Sequence, residues 1–244
     1  MSEIAYIYGK HAVKEAFVAC PAAIRTVYTT DDDFRATVKK AGMVVEPLNT
    51  QRLPGDVSKD AVHQGFVASI DLSKLMRSYD EFARTLAVNN DTALVLLGEI
   101  QDPHNVGAII RSAAAFGISG VLIPEHRQTQ ITGAVIKASA GMAFRIPLIS
   151  IGNVNATIRH LKEQGFWIYG LAGDASQTVG EEGFEKPSVF ILGNEGAGIR
   201  EKTLEHCDIT LKIPMAPDVE SLNASVAAAI VCYAWSEKHG GALR

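Results

Sequence analysis

The chain has 244 residues, 47% of them hydrophobic and 20% charged, with a formal net charge of −4. Such a composition fits a soluble globular protein of one large domain or two small ones, and it excludes a strongly basic nucleic-acid coat. Residues 1–90 carry 11 Lys+Arg against 11 Asp+Glu, and residues 91–244 carry 12 against 16, so any RNA partner has to be held by a local patch.

Residues 1–71 read as a compact α/β unit. "IAYIYG" is a strand, and "KHAVKEAFVA" has helical periodicity through Ala12, Val13, Ala16 and Phe17. "RTVYTT" is a second strand, "DFRATVKKAG" a helix closed by Gly42, and "MVVEPL" a third strand. A polar, turn-rich segment follows, and "GFVASID" closes the unit as its last strand. Residues 72–90 read as a linker ending in a short helix.

From residue 91 the scale of the pattern changes. "TALVLL", "GVLIP", "IPLIS", "FWIYGLA", "SVFILG" and "DITLKIP" are apolar runs of the kind buried parallel strands need. Helices are expected after Asn105, Thr132, Asn153, Ala197 and Ser221. This alternation predicts a mostly parallel sheet with helices on both faces, spanning residues 91–244.

The three cysteines, Cys20, Cys207 and Cys232, lie far apart without C-x-x-C spacing, which argues against structural zinc or a disulfide framework and fits a reducing cytoplasm. Glu3, Lys10, Lys14 and Glu15 leave no signal-peptide core in the first twenty residues. No apolar run approaches the roughly 18 residues of a membrane span. The seven histidines are scattered without ligand spacing, so no metal is expected. His104, beside Asn105, is the one near the polar loops described next.

Three loops follow strands of the second domain, where open α/β sheets bind ligands. In "QDPHNVGAIIRSAAAFG", Asn105 is a good helix cap, Gly107 permits close approach, and Arg111 falls in the second turn of the helix. In "FILGNEGAGIREKT", Gly193 ends a strand and Glu195 sits among glycines. That spacing is neither G-x-G-x-x-G nor a phosphate-binding loop. In "LKIPMAPDVESLNASVAAAIVCYAW", Ile213 ends a strand, Ser221 reads as an N-cap, and Leu222 and Asn223 open an alanine-rich helix. Each loop alone could be a cap or a solvated turn. Together they point to one composite pocket.

The ordered motifs "N-x-G-A-x-x-R-S-A-x-x-F-G" (residues 105–117), "G-N-E-G-x-G" (193–198) and "I-P-M…V-E-S-L-N-x-S-V-A" (213–227) resemble the three signatures of the SpoU/TrmH ribose 2′-O-methyltransferases of the SPOUT class. "YGKHAVKEAF" and "HQGFVA" are similar to the beginning and end of the small RNA-binding domain many members carry. The resemblance covers nearly the whole chain, and within the family it is nearest to bacterial enzymes acting on a guanosine ribose of large-subunit ribosomal RNA. It implies S-adenosylmethionine (AdoMet) as cofactor, structured RNA as substrate, a trefoil knot and a homodimer. Where many relatives have glycine after "IPMA", this chain has Pro217, which removes a backbone donor.

The resemblance assigns the proton-handling step to Arg111. Arginine stays protonated near neutrality, so it is expected to grip a phosphate, polarise the hydroxyl and pass the proton on. Asn105, Glu195, Ser221 and Asn223 complete the polar set, while Leu171, Ala172, Gly173, Gly193, Ile213 and Leu222 are expected around the cofactor. A homodimer is also expected from the last helix, which carries alanines on several faces with Ile230, Val231, Tyr233 and Trp235 beyond them. Transfer RNA is the alternative substrate, and a non-catalytic RNA-binding protein is the alternative class. Cofactor binding separates enzyme from binding module.

Overall fold

The computed structural model describes residues 4–194, 196–219 and 221–243. The first unit is a four-stranded sheet. In chain order it runs β1 (Ile4–Tyr8), α1 (Lys10–Ala19), β2 (Ile24–Thr29), α2 (Asp32–Lys40), β3 (Val45–Pro47) and β4 (Phe66–Asp71). The strand order is β1-β4-β2-β3, with β4 antiparallel to both neighbours and β3 parallel to β2. Every predicted strand and helix of this unit is present. The α2 helix starts where Asp31 accepts a hydrogen bond from the Phe34 amide, and its chain reverses at Gly42, whose φ of +74° favours glycine.

Eight strands form the second sheet. They are β5 (Met76–Ser78), β6 (Ala93–Leu97), β7 (Gly120–Pro124), β8 (Leu148–Ile151), β9 (Trp167–Leu171), β10 (Gln177–Thr178), β11 (Ser188–Leu192) and β12 (Ile209–Lys212). Their order is β10-β12-β9-β11-β6-β7-β8-β5, and every pairing is parallel. The helices are α3 (Tyr79–Thr85), α4 (Pro103–Ala115), α5 (Gly133–Ala138), α6 (Val154–Glu163), α7 (Glu201–Leu204) and α8 (Ala224–Ser236). The segment expected to be a linker with a short helix has that helix, α3, and also supplies an edge strand, β5. Its strand, "MRS", is too short and polar to show as an apolar run.

Side chains along β6 alternate between two cores, as the two-residue strand period requires. Ala93, Val95 and Leu97 face α4, α5 and α8, whereas Leu94 and Leu96 face α3 and α6. The first core continues into the small sheet through Ile7, Val13 and Phe66. At the junction Arg145 pairs with Glu15, and Lys137 donates to the Tyr8 hydroxyl. A Cβ on Gly133 would lie 2.4 Å from the Tyr6 carbonyl oxygen, so the two units meet backbone to backbone.

Two helix starts differ from expectation. The α4 helix begins before Asn105, because Asp102 caps it through the His104 amide and Pro103 takes the first helical position. Arg111 accordingly lies past the middle of α4 rather than in its second turn. The α8 helix is capped by Asn223, not Ser221; Asn223 Oδ1 accepts from the Ser225 amide and hydroxyl. After Ala197 the expected helix is the single turn α7. Among the described residues, no helix is long and apolar enough to cross a membrane, and no cluster of side chains could hold a metal ion.

Candidate active site

The carboxyl ends of β9, β11 and β12 and the start of α8 surround two adjoining cavities of about 160 and 240 Å3. Leu171, Ser221, Leu222 and Ala227 line both. Ala172, Gly173 and Ile213 line the smaller, and Gly193 lines the larger. All six residues expected around the cofactor are therefore brought together, joined by Ser221. Glu195 lies outside the described residues.

The second-motif loop is built to stay tight. Asn194 and Gly198 exchange backbone hydrogen bonds, and Asn194 Oδ1 accepts from the amides of Gly196 and Ala197. A Cβ on Gly193 would lie 2.4 Å from the Gly198 carbonyl carbon, so any side chain there would force the loop apart. In the third-motif loop, the Val219 amide donates to the Ala216 carbonyl. Pro217 therefore sits second in a turn, where its fixed φ suits the backbone and its missing donor costs nothing.

Asn105 and Asn223 meet directly. Asn223 Nδ2 donates to Asn105 Oδ1 at 2.9 Å, joining the first turns of α4 and α8 across 118 residues of sequence. Asn105 is only 8% exposed, whereas Asn223 is open to solvent, so the bond ties a buried amide to one at the rim. Gly107, one short step further along α4, serves packing. A Cβ there would lie 2.4 Å from Ala138 Cβ and 2.7 Å from the Val135 carbonyl oxygen, so the close approach is to α5 and not to a ligand. Arg111 is exposed, enters no ion pair among the described residues, and lines neither cavity. His104 is also exposed.

The cavities offer glycine backbone, the aliphatic walls of Leu171, Ile213 and Leu222, and, among the described residues, one cation, Lys212. Among the described residues, no nest of cations or glycine-rich phosphate cradle lines these two cavities, which disfavours a pyrophosphate there. An adenosyl group, flat and uncharged, fits such walls, and hydrogen bonds to backbone would orient it. The residues present therefore suit AdoMet. Strand-end loops, an apolar cradle and the Asn105–Asn223 amide pair at the ends of one parallel sheet match the arrangement that the resemblance to SPOUT methyltransferases implies.

Comparison with known proteins sharpens that class. The model of the SpoU rRNA Methylase family matches residues 92–233, and the model for RNA 2′-O ribose methyltransferase substrate binding matches residues 6–76. The chain belongs to the SpoU rRNA methylase family and is an RNA ribose 2′-O-methyltransferase. It is 37% identical over 250 residues to the 23S rRNA (guanosine-2′-O-)-methyltransferase RlmB of Pectobacterium atrosepticum, covering 99% of this chain and 100% of that one. The RlmB of Yersinia pestis is 38% identical over 240 residues, 96% of each chain. Among solved structures, a putative RNA methyltransferase of the TrmH family from Porphyromonas gingivalis has a TM-score of 0.75 at 27% identity, covering 95% of this chain and 89% of that one. AviRb of Streptomyces viridochromogenes, solved with AdoMet, has a TM-score of 0.81 at 21% identity over 98% and 91% of the two chains, and shows the shared fold.

Proposed function

We propose that the protein transfers a methyl group from AdoMet to the ribose 2′-hydroxyl of a guanosine in 23S ribosomal RNA. The substrate assignment is carried by end-to-end similarity to enzymes of that name, small unit included. The site assignment is carried by the Asn223–Asn105 hydrogen bond, which sets the first and third motifs side by side.

AdoMet supplies a sulfonium methyl to the reaction. The chain must then bring the 2′-oxygen in line with that methyl and remove its proton. Arg111 grips the phosphate beside the target ribose, polarises the hydroxyl and passes the proton to solvent. Asn223, held by its capping bonds and by Asn105, orients the ribose together with Ser221 and Glu195. Leu171, Ala172, Gly173, Gly193, Ile213 and Leu222 bind the cofactor and exclude water.

Arg111 lies outside its own chain's cavities, and this favours a shared site in a homodimer. The expected apolar surplus of α8 divides in two. Val231 and Trp235 are fully buried in the chain's own core, whereas Val226 and Tyr233 remain 45% and 50% exposed. Tyr233 packs edge-on against Phe116 at the end of α4, extending one apolar face over both helices. A second copy seated there brings its Arg111 to the first copy's cavity. With this reading come the trefoil threading of the third-motif segment and residence in the cytoplasm, where ribosomal RNA is modified.

Ribose methylation mapped across ribosomal and transfer RNA, in cells with and without the protein, tests the substrate. Loss of a single 2′-O-methylguanosine in 23S rRNA is the expected result. Loss confined to transfer RNA would replace it with the alternative.

A further inference from the structure

On the sheet face opposite the cofactor cavities, the carboxyl ends of β6, β7, β8 and β11 enclose a third cavity of about 420 Å3. Its floor is apolar, made by Leu96, Ile191, Ile199 and Val154, all belonging to the core beneath α3 and α6. Its place in the topology is telling. From β6 the chain leaves through α4 toward β7, and from adjacent β11 it leaves through α7 toward β12, in the opposite direction along the sheet. Open α/β sheets bind ligands in the crevice at such a switch point.

The backbone around this crevice is held in a costly shape. Glu99 and Arg127 both line it, and both are non-glycine residues at positive φ, +66° and +57°. Gln101 Nε2 donates to both of their carbonyls, at 3.2 and 2.7 Å, and Asn194 Nδ2 donates to the Glu99 carbonyl at 2.9 Å. The Glu99 carboxylate is neutralised by Arg200 at 2.7 Å. Arg127 and Lys202 stay exposed on the rim and enter no ion pair among the described residues. Glu201 and Asn153 supply acceptor and amide groups beside them.

We propose that this crevice is a subsite for one nucleotide of the substrate RNA, distinct from the nucleotide that is methylated. The proposal rests on the RNA-methyltransferase reading above. The base lies on the aliphatic floor, its polar edge meets Glu201 and Asn153, and its phosphate meets Arg127 and Lys202. An aliphatic floor under a cationic rim is the chemistry of a nucleoside monophosphate, and a sulfonium cofactor has no use for it. Asn194 belongs to the second-motif loop, so the same amide that braces this crevice also shapes the cofactor cavity.

Two variants of the full chain test the idea, the double charge reversal Arg127→Glu/Lys202→Glu and the filling substitution Val154→Phe. Calorimetry with AdoMet should give affinities within twofold of wild type, showing an intact fold and cofactor pocket. A 23S rRNA fragment carrying 6-thioguanosine should crosslink to wild-type peptides containing Arg127 or Asn153. Both variants should lose those crosslinks, bind the fragment at least tenfold more weakly, and raise KM with little change in kcat. Guanosine 5′-monophosphate, titrated in parallel, separates the sources of the nucleotide. Tight binding of the free nucleotide, lost in the variants while RNA affinity is unchanged, would overturn the RNA subsite in favour of a free-nucleotide site. Crosslinks confined to the small unit and cofactor rim, with unchanged RNA and nucleotide affinity in both variants, would overturn any nucleotide site. If wild type methylates no RNA, the earlier reading fails, and the crosslinks still decide what the crevice holds.

Discussion

The two sheets put their chemistry in different places. In the small unit it lies on the helix that covers the sheet: Lys14 of α1 sits over the rings of Phe34 and Phe66, 5.5 and 5.7 Å from their centroids, and Lys10 sits 6.0 Å from Phe66. In the large sheet the central strands β6, β7 and β11 are wholly buried, and the polar residues gather at the strands' carboxyl ends. The small unit carries its cations on an outer helix, whereas a parallel sheet covered on both faces can offer only its ends. The first arrangement suits a surface that grips a large polyanion. The second suits a pocket that takes one small molecule.

The largest test of that division is Arg111→Ala. It should reduce methyl transfer by about 10²–10⁴-fold, the usual cost of losing a positioned proton-handling group, with AdoMet affinity unchanged. Lys14→Glu in the small unit should instead weaken RNA binding several-fold and leave transfer at saturating RNA intact. Comparable losses of kcat in both variants would break the division.

Stability gives a second test. Gly107→Val drives a side chain into the α5 backbone and should destabilise the protein by about 2–3 kcal/mol. That corresponds to a fall in Tm of about 4–12 °C. An unchanged Tm would show that α5 can move off α4 far enough to admit a Cβ that would otherwise lie 2.4 Å from Ala138 Cβ.

The amide pair sharpens the picture of the pocket itself. Asn105→Ala and Asn223→Ala should each weaken activity, and the double variant should lose less than the sum, with a coupling of about 1 kcal/mol. Strict additivity would mean the two residues act apart.

The smallest effect is in pH. Burial pushes the Cys207 thiol up to about 11 and the Cys232 thiol up to about 12. Unfolded thiols ionise near pH ~8.5, so the folded chain holds these protons longer than the unfolded one. Their contribution is complete below that pH and fades as pH climbs toward 11 and 12. Urea midpoints should therefore drop between pH 8 and 10, and the drop should be shallower in Cys207→Ala.

Much of this architecture was legible because the signals were local. The apolar runs of β6, β7 and β11 are continuous, and Asp31, Thr132 and Asn153 cap their helices as side chains of that kind do. Of the six cofactor residues, Gly193, Ile213 and Leu222 fall in the ordered motifs and Leu171, Ala172 and Gly173 lie at the end of "FWIYGLAG", and the fold gathers all six. Misreadings arose where two capping residues compete. Asp102-Pro103 outranks Asn105, because proline at the first helical position presets the backbone, and Asn223 displaces Ser221 because it also reaches Asn105. The edge strand β5 was hidden by its three-residue length. The crevice of Glu99 and Arg127 was hidden for another reason. Its walls come from four separate strand ends, and no spacing along the chain announces a left-handed glutamate.

The bond between Asn223 and Asn105 also has a meaning in time. It closes a span of 118 residues, and α4 and α8, the helices it joins, pack along one another. Contacts so distant in sequence form late, after the intervening strands have collapsed, because their loop-closure cost precedes any reward. In refolding, strand and helix signals should therefore recover before the ability to bind AdoMet. Added cofactor will then slow unfolding of the finished protein and leave the early folding rate unchanged.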